Sequence, residues 1–133
     1  MTAISSKTVS DYMTTRLLTF TPDTEVMAAL RQLVTRGHSG APVVDADGHI
    51  VGMLSEKDCL KVAVLANYED VSPGAVRDYM SPSVVSVSPD TSLLEVASRF
   101  IDAPFKRFAV VVDGKLVGQI SRSDVLRAID ELS

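Results

Sequence analysis

The chain contains the same pattern twice. The segment at 9–13, Val-Ser-Asp-Tyr-Met, recurs at 76–80 as Val-Arg-Asp-Tyr-Met, 67 positions later. The stretches at 17–24 and 84–91, each ending in Pro-Asp-Thr, repeat with the same offset. A copy of about 60 residues buries too little surface to be stable alone. The duplication therefore predicts two copies of one supersecondary unit that pack together as a single pseudo-symmetric domain.

Each copy reads as strand, helix, strand, strand, helix. An apolar run predicts the first strand, and Thr21 or Ser88 before Pro-Asp predicts a helix N-cap followed by a proline in the first turn. The helices then carry apolar residues at the spacing of one buried face, and Gly37 and Pro104 are matching stop signals. The predicted faces are Val26, Ala29, Leu30, Leu33 and Val34 in the first copy, and Leu93, Val96, Ala97, Phe100 and Ile101 in the second.

A hairpin and a second helix complete each copy. Asp-Gly pairs at 47–48 and 113–114 lie between apolar runs, which is a strong signal for a tight turn because both central positions need positive φ. The second turn is one residue shorter, so the offset falls to 66. Closing helices are predicted at about 56–66 and 122–132.

The predicted fold class is therefore α/β (α+β), with two tandem β-α-β-β-α repeats packed sheet to sheet. Repeat 1 spans 9–66, a linker rich in turn residues spans 67–75, and repeat 2 spans 76–131. Residues 1–8 are expected to form a loose polar tail. Tandem symmetry leaves a cleft on each side of the junction, which is a natural place for a small ligand.

Composition disfavours several classes of function. The net charge of −4 and the aromatic content of 5% disfavour nucleic-acid binding, which needs a basic surface and stacking rings. No uncharged apolar run approaches the ~20 residues of a membrane span, and the N-terminus lacks the apolar core of a signal peptide. A cytoplasmic protein without membrane contact is therefore expected. Cys59 is expected to fill the core, with a redox role as the minor alternative.

Motifs for catalysis and metal binding are missing from the sequence. It contains no nucleophile elbow, phosphate-binding loop or dinucleotide fingerprint, so no catalytic residue is assigned and an enzyme is not expected. His38 and His49 have no partner at a metal-ligand spacing, so no metal is assigned either.

The hairpins and the helix starts that follow them share a motif. A strand ending in Val-Asp precedes Gly-x-x-Ser-x-x-Asp, at 41–45 and 52–58 in the first copy and at 109–113 and 118–124 in the second. In these motifs, and in their order over residues 9–130, the chain resembles the CBS domain pair, or Bateman module, of the cystathionine β-synthase domain family.

The resemblance implies a ligand and an assembly. The ligand would contain adenosine: AMP, ADP or ATP is favoured, with S-adenosylmethionine or NAD as alternatives, and no cofactor is obligatory. It would bind in the clefts between the repeats. The module would form a homodimer, and ligand occupancy would change the activity or contacts of another protein.

The two Ser-x-x-Asp motifs allow two interpretations. Spacing alone favours a helix capping box, in which the serine and the acidic side chain satisfy backbone N–H groups. The resemblance implies that Asp58 and Asp124 accept the hydroxyls of a ribose. The hydroxyl of Ser55 or Ser121, with the free backbone N–H groups at the helix start, can hold a phosphate. The two roles do not exclude each other.

Lys106 and Arg107 precede the second hairpin. They are either an ordinary solvated pair or a phosphate site, because a guanidinium binds phosphate oxygens with two N–H groups. The resemblance favours phosphate binding by Arg107. The matching position in the first copy is Gly40, so a phosphate site there would depend on Lys57 or His38.

The layout of the family implies two clefts. The favoured cleft combines Thr19, Phe20, Thr21, Ser39, Gly40 and Ala41 with Arg107, Gln119, Ile120, Ser121, Ser123 and Asp124. The second, weaker cleft combines His38, Met53, Leu54, Ser55, Lys57 and Asp58 with Ser86, Val87, Lys106 and Phe108. For Gln119, Ile120, Met53 and Leu54, a plain role in a core strand is an equally good interpretation.

Two classes of function follow. The first is a non-catalytic regulatory module that binds an adenosine-containing ligand and signals to an unidentified partner protein. The alternative is a ligand-free module for dimerisation and protein interaction, which Gly40 and the bulky Lys106-Arg107 pair keep open. An enzyme acting on nucleotides is the least supported class.

Overall fold

The computed structural model describes residues 4–69 and 72–133. The helices are α1 (Val9–Tyr12), α2 (Val26–Arg36), α3 (Glu56–Glu69), α4 (Leu93–Asp102) and α5 (Arg122–Leu132). The strands are β1 (Gly40–Val44), β2 (Ile50–Ser55), β3 (Ser86–Val87), β4 (Arg107–Val112) and β5 (Lys115–Ser121). Short 3₁₀ turns lie at Ile4–Ser6 and Val76–Asp78. This mixture of helices and small sheets confirms the predicted fold class.

The chain forms two compact units. The continuous unit is Leu18–Val84, and the split unit combines the residues up to Leu17 with Val85–Ser133. Each unit therefore takes its hairpin and its two long helices from one repeat. The short leading segment that packs with them comes from the other repeat: residues 4–17 lie in the split unit, and residues 72–84 lie in the continuous unit.

In the continuous unit, β1 and β2 form an antiparallel hairpin. Phe20 makes a parallel bridge to Val43, so the predicted first strand is reduced here to a single bridged residue. Cys59 lies in the core, as predicted. The buried core residues are Phe20, Val26, Ala29, Leu33, Ala41, Val43, Leu54, Cys59, Val62, Val76 and Tyr79.

In the split unit, β3 pairs in parallel with β4, and β4 pairs antiparallel with β5. Val87 lies opposite Val110, which is the position equivalent to Phe20 opposite Val43. The predicted first strand therefore forms in this copy. The buried core residues are Val9, Val87, Leu93, Val96, Phe100, Phe108, Val110, Ile120, Val125 and Ala128.

Backbone hydrogen bonds attach each leading segment to a hairpin. The N–H groups and carbonyl oxygens of Thr14 and Gln119 exchange two hydrogen bonds, of 2.9 and 3.0 Å. Ser81 and Met53 exchange an equivalent pair, both of 2.9 Å. The leading segment and β5 approach so closely that a Cβ on Gly118 would lie 2.9 Å from the carbonyl oxygen of Thr14. Gly118 is therefore required by the close approach of the backbone.

The predicted helix start at Thr21 is wrong, and the same error occurs at Ser88. α2 begins at Val26, five residues after Thr21, and α4 begins equally late after Ser88. Thr21 opens a turn in which its backbone N–H donates to the Thr24 hydroxyl oxygen at 3.1 Å. Hydroxyl side chains that bond nearby backbone groups in this way compete with helix formation.

The leading segment fixes where α2 begins. The N–H of Val26 donates to the carbonyl oxygen of Gly74 at 3.0 Å, and the N–H of Val76 donates to that of Thr24 at 2.8 Å. These bonds hold the residues before α2 in an extended conformation. A partner distant in sequence therefore delays the helix beyond its local start signal.

The predicted loose tail is wrong for residues 4–8. The carbonyl oxygen of Lys7 accepts the N–H of Leu93 at 2.9 Å, which secures the tail to the start of α4. Ile4 packs against the core of the split unit. Residues 1–3 lie outside the described residues.

The buried faces of α2 and α4 are narrower than predicted. Val34 and Ile101, the last members of the predicted faces, are 73% and 83% exposed. An α-helix turns by about 100° per residue, so each of them lies well around the helix from the buried Leu33 or Phe100. The other predicted members are buried or half-buried.

The helix ends largely match the stop signals. Gly37 ends α2 in the left-handed conformation with φ of 66°, and α4 ends shortly before Pro104. α5 covers its predicted range. α3 continues to Glu69, so the first three residues of the predicted linker 67–75 are helical. Residues 70 and 71 of that linker lie outside the described residues.

The segments that make up each unit predict which part of the chain folds alone. A fragment of residues 18–84 keeps its leading segment, whereas a fragment of residues 9–66 lacks the segment that pairs with Met53. We expect a cooperative thermal transition by circular dichroism for 18–84, and none or a clearly lower one for 9–66. In 18–84, Ser81→Pro removes the N–H that bonds Met53 and should lower the transition. Equal transitions for the two fragments and for the Ser81→Pro variant would contradict this expectation.

Gly118→Ala should destabilise the chain. The new methyl group would lie 2.9 Å from the Thr14 carbonyl oxygen and 2.8 Å from the Met13 sulfur, and the backbone oxygen cannot move aside cheaply. We expect a loss of about 1–3 kcal/mol in the free energy of unfolding, measured with urea. Val112→Ala, an exposed change in the same sheet, is the control and should cost less than about 0.5 kcal/mol. An equally small loss for Gly118→Ala would show that the contact is not tight.

Candidate functional site

A capping box joins Ser121 to Asp124 where β5 runs into α5. The Asp124 Oδ2 atom accepts the backbone N–H of Ser121 at 2.8 Å and the Ser121 hydroxyl at 2.9 Å. In return, the Ser121 Oγ atom accepts the N–H of Asp124 at 3.2 Å. The Asp124 side chain is 15% exposed, so its carboxylate is still reachable from solvent.

The continuous unit has the same box between Ser55 and Asp58. The Asp58 Oδ2 atom accepts the backbone N–H and the hydroxyl of Ser55, both at 2.9 Å, and Ser55 Oγ accepts the N–H of Asp58 at 3.1 Å. The capping interpretation of both motifs is therefore correct. Each box stabilises its helix start by roughly 1 kcal/mol.

Each of these carboxylates also faces a basic side chain that was not predicted from the sequence. Arg127 Nη1 lies 3.3 Å from Asp124 Oδ1, and Lys61 Nζ lies 3.6 Å from Asp58 Oδ1. The signal was present in the sequence, because residues three apart on a helix are neighbours on its surface. The motif is thus extended to Ser-x-x-Asp-x-x-Arg or Lys.

Arg107 begins β4 and lies opposite Ser121 in the register of β4 and β5. Its Nε atom is buried and has no hydrogen-bond partner among the described residues. The carbonyl oxygen of Lys106 accepts the N–H of Arg122 at 3.0 Å, which ties the start of β4 to the start of α5. The split unit therefore brings Arg107, Ser121 and Asp124 into one corner of its sheet.

Gly40 holds the matching position in the continuous unit, opposite Ser55. A Cβ there would lie 2.9 Å from the carbonyl oxygen of Leu54, so the backbone leaves no room for a side chain. The difference between the copies at this position thus has a steric cause. Of the predicted replacements, Lys57 is exposed, and His38 closes the end of α2 through a backbone bond.

Both predicted clefts draw residues from both units. The continuous unit contains Thr19, Phe20, Thr21, Ser39, Gly40 and Ala41 of the favoured cleft, and His38, Met53, Leu54, Ser55, Lys57 and Asp58 of the second. The split unit contains Arg107, Gln119, Ile120, Ser121, Ser123 and Asp124 of the favoured cleft, and Ser86, Val87, Lys106 and Phe108 of the second. Each complete cleft stays a prediction.

Several of the predicted contact residues belong to the unit cores. Ile120 and Leu54 are 0% exposed, which agrees with the plain interpretation as core strand residues. Gln119 is buried and bonds Thr14 through its backbone. Other core members among the predicted contacts are Phe20, Ala41, Val87 and Phe108. The predicted residues that remain exposed are Thr21, Ser39, Lys57, Ser86, Lys106 and Ser123.

The Asp45 carboxylate organises the turn between β1 and β2. Its Oδ1 atom accepts the backbone N–H groups of Asp47 and His49, both at 2.9 Å. Desolvation raises the pKa of Asp45, but the hydrogen bonds from His49 and Asp47 outweigh it and leave the pKa lowered. One carboxylate oxygen each from Asp45 and Asp47 and a ring nitrogen of His49 lie within 4.8 Å of one another. The sequence spacing of His49 did not predict this cluster of possible metal ligands. The two backbone hydrogen bonds to Asp45 explain why these side chains lie together, because they close the turn between β1 and β2.

Exposed apolar side chains occur at matching helix positions in the two units. Val34 and Ile101 are one such pair, and Leu60 and Leu126, 69% and 65% exposed, are another. Further exposed apolar residues lie on the same helices, Val64 and Leu65 on α3 and Ile129 on α5. In the part of the chain that the structure describes, no helix is long and apolar enough to cross a membrane.

The CBS domain family model matches residues 9–65 and 76–131. The CBS domain-containing protein CBSX2, chloroplastic, of Arabidopsis thaliana is 32% identical, over 91% of this chain and 63% of that protein. The A-adding tRNA nucleotidyltransferase of Aquifex aeolicus is also 32% identical, over 92% of this chain and 14% of that protein. The chain thus spans between 14% and 63% of the length of these curated relatives.

Solved structures show the same fold. The crystal structure of CBSX2 in complex with AMP is 35% identical with a TM-score of 0.83, and the match covers 94% of this chain and 97% of that one. A putative acetoin utilization protein (AcuB) from Vibrio cholerae is 25% identical with a TM-score of 0.82, over 94% and 91%. The CBS domain pair of MJ0100, in complex with 5′-methylthioadenosine and S-adenosyl-L-methionine, is 21% identical with a TM-score of 0.75, over 96% and 98%. At that identity the last match supports the fold alone.

Ser121→Ala should destabilise α5 through the capping box. The change removes the acceptor of the Asp124 N–H and one of the two donors to Asp124 Oδ2. We expect a loss of about 1 kcal/mol in the free energy of unfolding, measured with urea. Ser123→Ala, an exposed change in the same turn, is the control and should be nearly neutral. Equal losses in the two variants would contradict the capping role.

Proposed function

Because the chain belongs to the CBS domain family, we propose that it is a regulatory module that binds an adenosine-containing ligand. In this proposal the Asp124 carboxylate accepts ribose hydroxyls, and the Arg107 guanidinium binds phosphate. The observation that carries it is the corner of the split unit where Arg107, Ser121 and Asp124 come together. The relative CBSX2, crystallised with AMP, supports the choice of ligand class.

The chemistry of this corner suits a nucleotide. A carboxylate at a helix start is an acceptor of two hydroxyl groups, and the first N–H groups of α5 add positive potential near a phosphate. The Nε of Arg107, buried and without a hydrogen-bond partner in the described part of the chain, is a donor that an anionic oxygen would satisfy. Arg107 also favours AMP, ADP or ATP over S-adenosylmethionine, because the sulfonium of that ligand is positively charged. NAD, which carries phosphates, remains an alternative.

The continuous unit is proposed as the weaker site. It offers the Asp58 carboxylate for a ribose, but Gly40 leaves it without a guanidinium at the position of Arg107. A phosphate there would rely on Lys57, which is exposed, and a flexible exposed lysine is a weak anchor. The second cleft, with His38, Met53 and Leu54, is therefore proposed to bind the nucleoside part at most.

The output of the module is proposed to be a change in contacts with a partner protein. A ligand shifts a conformational equilibrium only by its difference in affinity for the two states. No residue of the proposed site is given a catalytic role. The matching exposed residues Val34, Ile101, Leu60 and Leu126 favour a homodimer formed through the helices. The cytoplasmic location remains a prediction from the sequence.

A ligand-free interaction module is the second candidate. It is favoured by Gly40, which removes one phosphate anchor, and by exposed apolar residues along α3. Leu60, Val64 and Leu65 of α3 are 69%, 57% and 49% exposed, and such residues are typical of contact surfaces. An empty site and a stable complex with a partner would characterise this function.

A thermal-shift titration tests the proposal. We expect AMP, ADP or ATP to raise the melting temperature by several degrees, because a ligand at ~100 times its Kd adds about 2.7 kcal/mol. Asp124→Ala and Arg107→Ala should each remove most of the shift. Ser92→Ala removes the N-cap hydroxyl of α4, which accepts the Glu95 N–H in the same unit and outside the proposed site, so it should lower the melting temperature and keep the shift. No shift with any of these nucleotides, S-adenosylmethionine or NAD at millimolar concentration would favour the interaction module.

A further inference from the structure

The basic residue three positions after each capping aspartate differs between the units. In the split unit, Arg127 Nη1 donates a hydrogen bond to Asp124 Oδ1 at 3.3 Å. In the continuous unit, Lys61 Nζ lies 3.6 Å from Asp58 Oδ1, which is an ion pair beyond hydrogen-bond distance. The two carboxylates therefore start from different hydrogen-bonding states.

The capacity of the Asp124 carboxylate is limited. An ionised carboxylate offers roughly four lone-pair positions. The backbone N–H and the hydroxyl of Ser121 use two of them on Oδ2, and Arg127 uses one on Oδ1. A cis-diol that donates two hydrogen bonds needs two free positions, so one existing bond must open. The bond from Arg127 is the easiest to open, because that side chain is 52% exposed and the pair lies at the surface.

The Asp58 carboxylate has room for a diol without this exchange. Its Oδ2 atom accepts the two bonds from Ser55, as in the other unit. Among the described residues, Lys61 faces Oδ1 only as an ion pair. Both lone pairs of Oδ1 are therefore open to hydroxyl donors.

Arg127 is connected to α1 as well as to Asp124. Its Nη2 donates to the carbonyl oxygen of Tyr12 at 3.3 Å, and its guanidinium carbon lies 5.5 Å from the centre of the Tyr12 ring. The Tyr12 hydroxyl donates to Glu131 Oε2 at 2.8 Å, which holds the ring in place. The continuous unit differs, because Tyr79, the residue equivalent to Tyr12, donates to the carbonyl oxygen of Pro73.

We propose that Arg127 is an internal competitor for the diol of the ligand, and that its release from Asp124 is how α1 responds to binding. This inference rests on the proposed function. When a diol takes the place of Arg127 on Oδ1, the guanidinium loses the hydrogen bond at its Nη1 atom and keeps the weaker ion pair with Glu131, whose Oε1 atom lies 3.9 Å from its Nε atom. Its contacts with the carbonyl and ring of Tyr12 then loosen. The continuous unit binds without such a response, so only the split unit couples ligand occupancy to its leading segment.

Calorimetric titration of the full chain tests the competition. All proteins carry Asp58→Ala, so that the measured affinity comes from the site with the Asp124 carboxylate alone. The probes are adenosine, 2′-deoxyadenosine and AMP. We expect Arg127→Ala to bind adenosine and AMP about two- to fivefold more tightly, because a surface ion pair no longer competes. Its affinity for 2′-deoxyadenosine should not change, because a single hydroxyl uses the one position already free.

Two further variants keep the test decisive. Arg99→Ala removes another guanidinium that lies 5.6 Å from an aromatic ring centre in the same unit, without touching Asp124, and should leave all three affinities unchanged. Arg127→Lys keeps the charge and should give a smaller gain than Arg127→Ala, so it serves if the alanine variant unfolds. Amide hydrogen exchange over residues 9–14 should speed up with AMP in the Arg127 protein and not in Arg127→Ala.

The outcomes separate the two proposals. If adenosine and AMP bind but Arg127→Ala does not strengthen binding, the competition is overturned while the proposed function stands. If Arg127→Ala lowers the affinity for AMP and leaves the affinity for adenosine unchanged, Arg127 donates hydrogen bonds to the phosphate. This result also overturns the competition. If no probe binds any variant or the parent chain with Asp58 intact, the proposed function fails and this inference fails with it.

Discussion

The structure depends on the backbone pairing between each leading segment and a hairpin that lies far from it in sequence. The reciprocal bonds of Thr14 with Gln119, and of Ser81 with Met53, satisfy strand groups that would otherwise be unpaired at a sheet edge. The same segments hold the residues before α2 and α4 extended. A repeat counted along the chain therefore lacks one edge of its own structure, and the neighbouring repeat supplies it.

The sequence predicted the parts of the fold that local patterns determine. The hairpins, the closing helix α5, the stop at Gly37 and both capping boxes depend on residues a few positions apart, and all are present. The start of α2 was misplaced because its boundary is set by Gly74, a partner distant in sequence. The tail at 4–8 was misjudged for the same reason, since Lys7 is ordered by Leu93.

The candidate site shows the same division. The aspartates and serines were identified from their spacing, and their hydrogen bonds follow directly from it. The steric reason for Gly40 required the carbonyl position of Leu54, which only the folded backbone gives. Arg127 could have been found from its helical spacing to Asp124, but its contact with Tyr12 joins residues 115 positions apart. Motifs thus indicate where the chemistry lies, and tertiary contacts decide how it is adjusted.

The division of the chain into a continuous and a split unit also sets an order for folding during synthesis. The continuous unit is complete once residue 84 has left the ribosome, because both of its segments are then present. Residues 4–17 are made before all of their partners: residues 89–93 follow only after the continuous unit, and Gln119 of β5 follows later still. Residues 4–17 therefore complete their contacts only after the continuous unit can have folded. During that interval they are exposed to proteases, to chaperones and to the equivalent strand of another nascent copy.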